Sequence, residues 1–244
     1  MLSKVKSMSL EGLNGYLVEI QSDVSGGLPS FDVVGLPDIR VKEAKERVKT
    51  AIKNSNIDFP SRKIVVNLAP ADIRKEGTFF DLPIAIGILI AIGEINKVEI
   101  HDFESTILLG ELSLDGNINR VNGILPMCIE ALELGIKRVI IPKENAMEAS
   151  IIKGLEIIPV DNLLDVIRYI RGEKNIQTYF SNKDINLKGI DNYNIDFSEV
   201  KGQENAKRAL EIAVARFSQL FITTVVQVLV KQCFQKGWIQ FYQI

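Results

Sequence analysis

Twelve consecutive residues, Leu82 to Gly93 (LPIAIGILIAIG), carry no charged or hydrogen-bonding side chain. As a helix they would be about 18 Å long, too short for a hydrocarbon core of roughly 30 Å. A helix that is apolar on every side has to be covered by protein, so the run predicts a buried helix with the rest of a domain wrapped around it. With 244 residues, 46% of them hydrophobic, the chain can bury one good core and part of a second.

Asp81 stands where it can N-cap this helix. The polar loop Pro70-Ala71-Asp72-Ile73-Arg74-Lys75-Glu76-Gly77-Thr78-Phe79-Phe80 leads to it. Charges gathered on a loop over a buried helix make Asp72, Arg74, Lys75, Glu76 and Asp81 a candidate site. The alternative is that Asp81 only caps and the loop charges are solvated.

Ahead of that loop, Val5–Leu10, Tyr16–Ile20 and Phe31–Val34 have the β-branched and aromatic content of short strands. They are separated by glycines and Pro29, and an antiparallel start is expected. Asp38 precedes a helix with Val41, Ala44, Val48, Ala51 and Ile52 on one stripe and Lys42, Glu43, Lys45, Glu46, Arg47 and Lys49 elsewhere. That mixed charge reads as a solvated face rather than a nucleic-acid patch. Lys63–Ala69 reads as a buried strand. Further on, Thr106–Leu109 and Leu112–Leu114 read as strands around a Gly110-Glu111 turn, with Asp115-Gly116 as a hairpin signal. Ile124–Leu134 is expected to be a helix, Arg138–Ile141 and Ile157–Val160 strands, and Leu163–Ile170 a closing helix.

A net charge of −2 leaves no global footprint for nucleic acid, so any DNA contact would have to be local. Cys128 and Cys233 have no metal-ligand spacing, and the single histidine, His101, has no thiol near it. A histidine-based metal site or triad is therefore unavailable, and no metal is expected. Without a hydrophobic leader or a span, the chain is expected to be cytoplasmic and to have no membrane partner.

From Arg171 to Asn194 the chain turns polar and Asn-rich, as a linker does. Beyond it, Gln203–Ala215 spaces Ala206, Leu210, Ala213 and Val214 at helical intervals. With Val200-Lys201-Gly202-Gln203 in front, this resembles the opening of an AAA+ ATPase domain. There the Gly-Gln loop leans on adenine, which makes Val200, Gly202 and Gln203 the nucleotide-side residues by resemblance.

The next element of such a domain is a Walker A loop, G-x-x-x-x-G-K-S/T, whose backbone N–H groups cradle phosphate. No such string occurs in this chain. Val225–Ile244 instead reads VVQVLVKQCFQKGWIQFYQI, without Asp or Glu and without a sustained period. Reading each codon's last base with the first two of the next, Val226/Gln227 permits Pro, Gln227/Val228 Gly or Ser, and Val228/Leu229 Thr. Leu229/Val230 then permits Gly, Val230/Lys231 Lys and Lys231/Gln232 Thr, while Trp238/Ile239 forces Asp and Phe241/Tyr242 forces Leu. The shifted text is compatible with G-x-P-G-T-G-K-T-M-L-S-K-R-L-D-S-I-L-P. The expectation is a frame change near Thr223 or Thr224.

The stretches SLEGLNGYLVEIQSDVSGGLPSFDVVGLPD, VKEAKERVKTAIKNS, FPSRKIVVNLAPADIRKEGTFFDLPIAIGIL and VKGQENAKRALEIA resemble the YifB/ComM family of magnesium-chelatase-like AAA+ ATPases over residues 3 to 223. More distantly, Gly110–Gly116 and Gly135–Asn145 are similar to the proteolytic domain of Lon. These resemblances imply an α/β (α+β) two-layer fold of the Lon and GHMP-kinase kind over 1–170. A linker over 171–195, the start of an AAA+ P-loop domain over 196–223 and an out-of-frame tail over 224–244 would follow. Intact members would bind ATP and Mg as a ring and act on DNA, in ComM as a branch-migration helicase in natural transformation. This chain would be the non-catalytic module, with no cofactor of its own and with an intact homologue or its ring as partner.

Lon's loop supplies a nucleophilic Ser where this chain has Phe79, and counting back from Gly135 puts Leu125 at Lon's Lys position. A hydroxyl needs an adjacent base to attack, and neither partner is present. A degenerate hydrolase around Asp72, Lys75, Glu76 and Asp81, or a DNA-contacting surface of Arg62, Lys63, Arg74 and Lys75, is the alternative. Metal insertion into a porphyrin rests on the family's name alone.

Overall fold

A computed structural model describes residues 2–12, 14–95, 103–180, 202 and 204–215. The chain divides into a first unit, Met1–Asn182, and a second, Lys183–Ile244.

The first unit is built on a seven-stranded mixed sheet in the order β3-β4-β2-β1-β5-β8-β9. Strand β1 (Leu2–Glu11) pairs antiparallel with β2 (Asn14–Ser25), which pairs antiparallel with β4 (Lys63–Ala69). Every other neighbour in the sheet is parallel: β3 (Ser30–Val34) on β4, β5 (Thr106–Leu108) on β1, β8 (Arg138–Pro142) on β5, and β9 (Glu156–Val160) on β8. The antiparallel start expected from the sequence is therefore present, inside a sheet that is mostly parallel. This is a mixed α/β fold.

Helix α1 (Ile39–Asn54) makes the crossover from β3 to β4. It begins where Asp38 accepts a hydrogen bond from the Val41 N–H at 2.8 Å, and it buries Val41, Ala44, Val48, Ala51 and Ile52. Those are the five residues of the stripe read from the sequence. Gly35, just before it, has φ +97°, and a Cβ there would lie 2.2 Å from the Leu68 carbonyl oxygen. The chain can cross β4 so closely only without a side chain.

Helix α2 (Asp81–Ile92) carries the apolar run and is buried almost throughout, as its lack of a polar face requires. Asp81 does not cap it. The cap position is Phe80, without a side-chain bond, and Asp81 lies in the first turn with its carboxylate committed elsewhere.

The Gly110-Glu111 pair is not a turn between paired strands. β5 belongs to the main sheet, while β6 (Glu111–Leu112) forms a small hairpin with β7 (Ile118–Asn119), closed by Ser113–Asn117 as the Asp115-Gly116 signal suggested. Helix α3 (Ile124–Glu133) packs on β1 and β2. A short α4 (Ala146–Ala149) follows β8, and α5 (Leu163–Ile170) closes the unit.

Residues 171–180, expected to open the linker, stay on the first unit. Ile176 packs against the core, Lys174 pairs with Asp165 at 2.7 Å, and the Tyr179 N–H donates to the Ile157 carbonyl on the outer side of β9 at 2.8 Å. In the second unit, α6 (Glu204–Ala215) agrees with the helix read from the sequence. It carries the pairs Lys207–Glu204 at 3.1 Å and Arg208–Glu211 at 2.9 Å. His101, Cys233 and the tail from 224 lie outside the described residues.

Candidate functional site

The loop from β4 to α2 is held by its backbone. The Lys75 N–H donates to the Leu36 carbonyl at 3.1 Å, and the Lys75 carbonyl accepts from the Asp38 N–H at 3.0 Å. One residue earlier, the Arg74 carbonyl accepts from the Tyr16 hydroxyl at 3.1 Å. Leu36 has φ +56°, a conformation that costs a non-glycine residue on the order of 1 kcal/mol, and the two bonds to Lys75 hold it there.

The five loop residues singled out by the sequence separate into two groups. Asp72, Arg74 and Glu76 are exposed, and the Arg74–Glu76 pair at 3.3 Å is an exposed interaction of the kind that contributes little. Lys75 and Asp81 are fully buried. The Lys75 Nζ donates to the Ile73 carbonyl at 2.7 Å, and burial lowers its pKa while Asp72 pulls the other way. A lysine turned into its own loop cannot join a DNA surface with Arg62 and Lys63, which stand at the opposite end of β4. That four-residue surface is not assembled.

Asp81 is where the elements converge. Its Oδ2 accepts from Arg47 Nε at 2.6 Å and from the Leu112 N–H at 3.2 Å, and its Oδ1 accepts from Arg47 Nη2 at 3.0 Å. Arg47 also donates to the Arg40 carbonyl at 3.1 Å. One carboxylate thus joins α1, α2 and β6. Burial pushes its pKa up to about 6, against the pull of Arg47 and the Leu112 N–H, and nearby Glu111 adds to the rise. Sequence reasoning missed Arg47, grouping it with the solvated charges of α1. Its position gives a signal: it is three residues after buried Ala44 and four before buried Ala51, at the border of the packed face.

Around Asp81 the wall is closed. The Phe79 carbonyl accepts from the Gly110 N–H and the Gly110 carbonyl from the Leu82 N–H, both at 3.0 Å, so residues 79–82 are zipped to the β5–β6 connection. The Phe79 and Phe80 rings pack at 4.7 Å. Phe79, at the position matched to Lon's serine, is buried. Leu125, at the position matched to Lon's lysine, offers only its backbone N–H, which donates to Glu148 Oε1 at 3.3 Å. Glu148 and buried Asn145 hold the turn before α3, Asn145 bonding both the N–H and the carbonyl of Val121. The arrangement fixes loops; it sets no base beside a hydroxyl. Among the described residues no cluster of His, Cys, Asp and Glu could hold a metal, and no helix is long and apolar enough to cross a membrane.

Of the nucleotide-side residues expected by resemblance, Val200 and Gln203 lie outside the described residues. Gly202 is exposed with φ +74°, at the turn before α6.

The family model described as subunit ChlI of Mg-chelatase matches residues 20–145, which include most of the sheet and the zipped loop. The competence protein ComM of Haemophilus influenzae is 38% identical over 217 residues, covering 88% of this chain and 42% of that protein. YifB of Escherichia coli, an uncharacterized protein, is 36% identical over 214 residues, 88% of this chain and 41% of its own. The DNA repair protein RadA of Halalkalibacterium halodurans is 30% identical over 171 residues, 67% of this chain and 35% of its own. The chain belongs to the YifB/ComM family of magnesium-chelatase-like proteins, and it spans less than half the length of these curated relatives.

Proposed function

We propose that this chain is the non-catalytic N-terminal module of a magnesium-chelatase-like AAA+ ATPase of the YifB/ComM type. Its intact form would use ATP and Mg to move DNA branches during transformation and recombination in the cytoplasm. The observation that carries this reading is the aromatic wall at Phe79 and Phe80, next to an Asp81 engaged by Arg47: where the similar Lon domain has a nucleophile, this unit has packing. The names of two relatives, a competence protein and a DNA repair protein, support DNA as the substrate of the whole assembly. A Lon or GHMP-kinase ancestry for the first unit belongs to the same proposal, supported by the Gly110–Gly116 and Gly135–Asn145 text.

Residues 225–244 hold no Walker A lysine or threonine, the groups that hold triphosphate and Mg²⁺ in such a site. We read them as Walker A codons taken in the wrong frame. An intact homologue, or the ring it forms, would be the partner.

Two measurements test this. The coding DNA around Thr223 should yield G-x-P-G-T-G-K-T after a one-base shift, and any other string sinks the frame-change reading. The purified chain should not hydrolyse ATP; turnover above a buffer blank would overturn the assignment of a non-catalytic module.

A further inference from the structure

The chain is slightly acidic overall, yet one side of α1 is not. Lys42, Lys45, Lys49 and Lys53 recur at intervals of three or four residues along a helix of 3.6 residues per turn, so they form one stripe. The right-handed course from β3 through α1 to parallel β4 runs the helix antiparallel to both strands. Its C-terminal end reaches the β6–β7 hairpin, where the Asn54 side-chain amide donates to the Leu114 carbonyl at 2.6 Å. Lys45 reaches Asp32 on edge strand β3 at 3.8 Å, which turns the stripe outward over that edge. Four lysines thus follow one side of α1, next to the β3 edge. Asp32, Glu43 and Glu46 are carboxylates among or next to them.

Most of this charge is unspent. Among the described residues, Lys42, Lys49 and Lys53 have no ion-pair partner, and Lys42 and Lys53 are exposed. Arg47, on the same helix, is not part of the stripe because Asp81 holds it. From Lys42 to Lys53 the rise is about 16 Å, close to five base steps at about 3.4 Å each along one strand of a duplex. The apolar stripe of α1 is turned into the core and leaves Ile39 as the one large apolar residue the helix exposes, too little to insert into a lipid surface. A linear array of cations without an apolar anchor suits a regular polyanion.

We infer that the Lys42–Lys45–Lys49–Lys53 stripe is a surface that tracks the phosphate backbone of duplex DNA. The inference rests on reading the chain as part of a DNA-processing protein and names the part of it that touches the substrate. Cations placed on phosphates position a duplex without reading its sequence.

The test is fluorescence anisotropy of a labelled 30-base-pair duplex titrated with the full chain between 50 and 200 mM salt. The variant K42Q/K49Q/K53Q is compared with K143Q/K153Q/K174Q, which removes the same charge around β8, β9 and α5. Circular dichroism checks that both remain folded. The α1 variant should bind at least tenfold more weakly at 50 mM salt. Its plot of log affinity against log salt should be shallower by about 2.7, at about 0.9 for each phosphate no longer neutralised. The other variant should match wild type. No duplex binding by wild type at 50 mM salt, an unchanged α1 variant, or equal weakening of both variants would each overturn the assignment. ATP turnover by the chain would overturn the module reading and leave this result untouched.

Discussion

Arg47 grips Asp81 with two nitrogens, Nε 2.6 Å from Oδ2 and Nη2 3.0 Å from Oδ1, across 34 residues of sequence. The partners are not equally buried: the Arg47 side chain keeps 21% of its surface and Asp81 none. Removing one is therefore not equivalent to removing the other. Arg47→Ala strands a carboxylate with a single N–H donor and should cost about 3–5 kcal/mol in urea unfolding. Asp81→Ala frees a guanidinium that can turn to water and should cost on the order of 1–2 kcal/mol. Equal losses would mean that the pair does not join the two helices as described.

The same carboxylate makes a pH prediction. Its pKa in the folded chain, about 6, lies above its ordinary value of 3.8, so between those values the folded state binds the proton more readily. The stability this group contributes is fully present below pH 3.8 and is lost as pH rises through 6. Two pKa units correspond to about 3 kcal/mol. Between pH 4 and pH 7 wild type should lose about that much more stability than Asp81→Asn, measured by urea midpoints at the two pH values. Parallel profiles would show that the carboxylate titrates elsewhere.

Gly35→Ala should be severely destabilising. The added Cβ meets the Leu68 carbonyl oxygen at 2.2 Å, and the backbone already has positive φ. Gly26→Ala has open space and no such φ, and it should stay within about 0.5 kcal/mol of wild type. Thermal unfolding of the two variants makes the comparison.

Cys128 is fully buried, and burial pushes its thiol up to about 12. Reaction requires thiolate. With Cys233 replaced by Ser, a disulfide-exchange reagent should label no thiol in the native chain and one in urea. Rapid labelling without denaturant would contradict the packing of α3.

Much of the fold was legible because its signals are local. The α1 stripe, Lys63–Ala69 and Leu163–Ile170 each follow from a period or a run bounded by turn residues. The Gly110 region was misread because β5 pairs with β1 and β8, far away in sequence, and no local pattern distinguishes that pairing from a hairpin. Asp81 was misread for a related reason. A carboxylate at the start of a helix looks the same in sequence whether it accepts from its own first turn or from an arginine on another helix. For Lys75 the sequence leaves both a loop site and a solvated charge open, and only the bonds to Leu36, Asp38 and Ile73 show that this loop is folded over its own lysine.

The hydrogen bond from Tyr179 to Ile157 means that a length of the polypeptide already lies against the far margin of the sheet. At the opposite margin β3 is the other edge of the main sheet, with Asp32 on it and Lys45 of α1 reaching across to that carboxylate. Edge-to-edge stacking of the main sheet would begin at that strand, and it is guarded by charge.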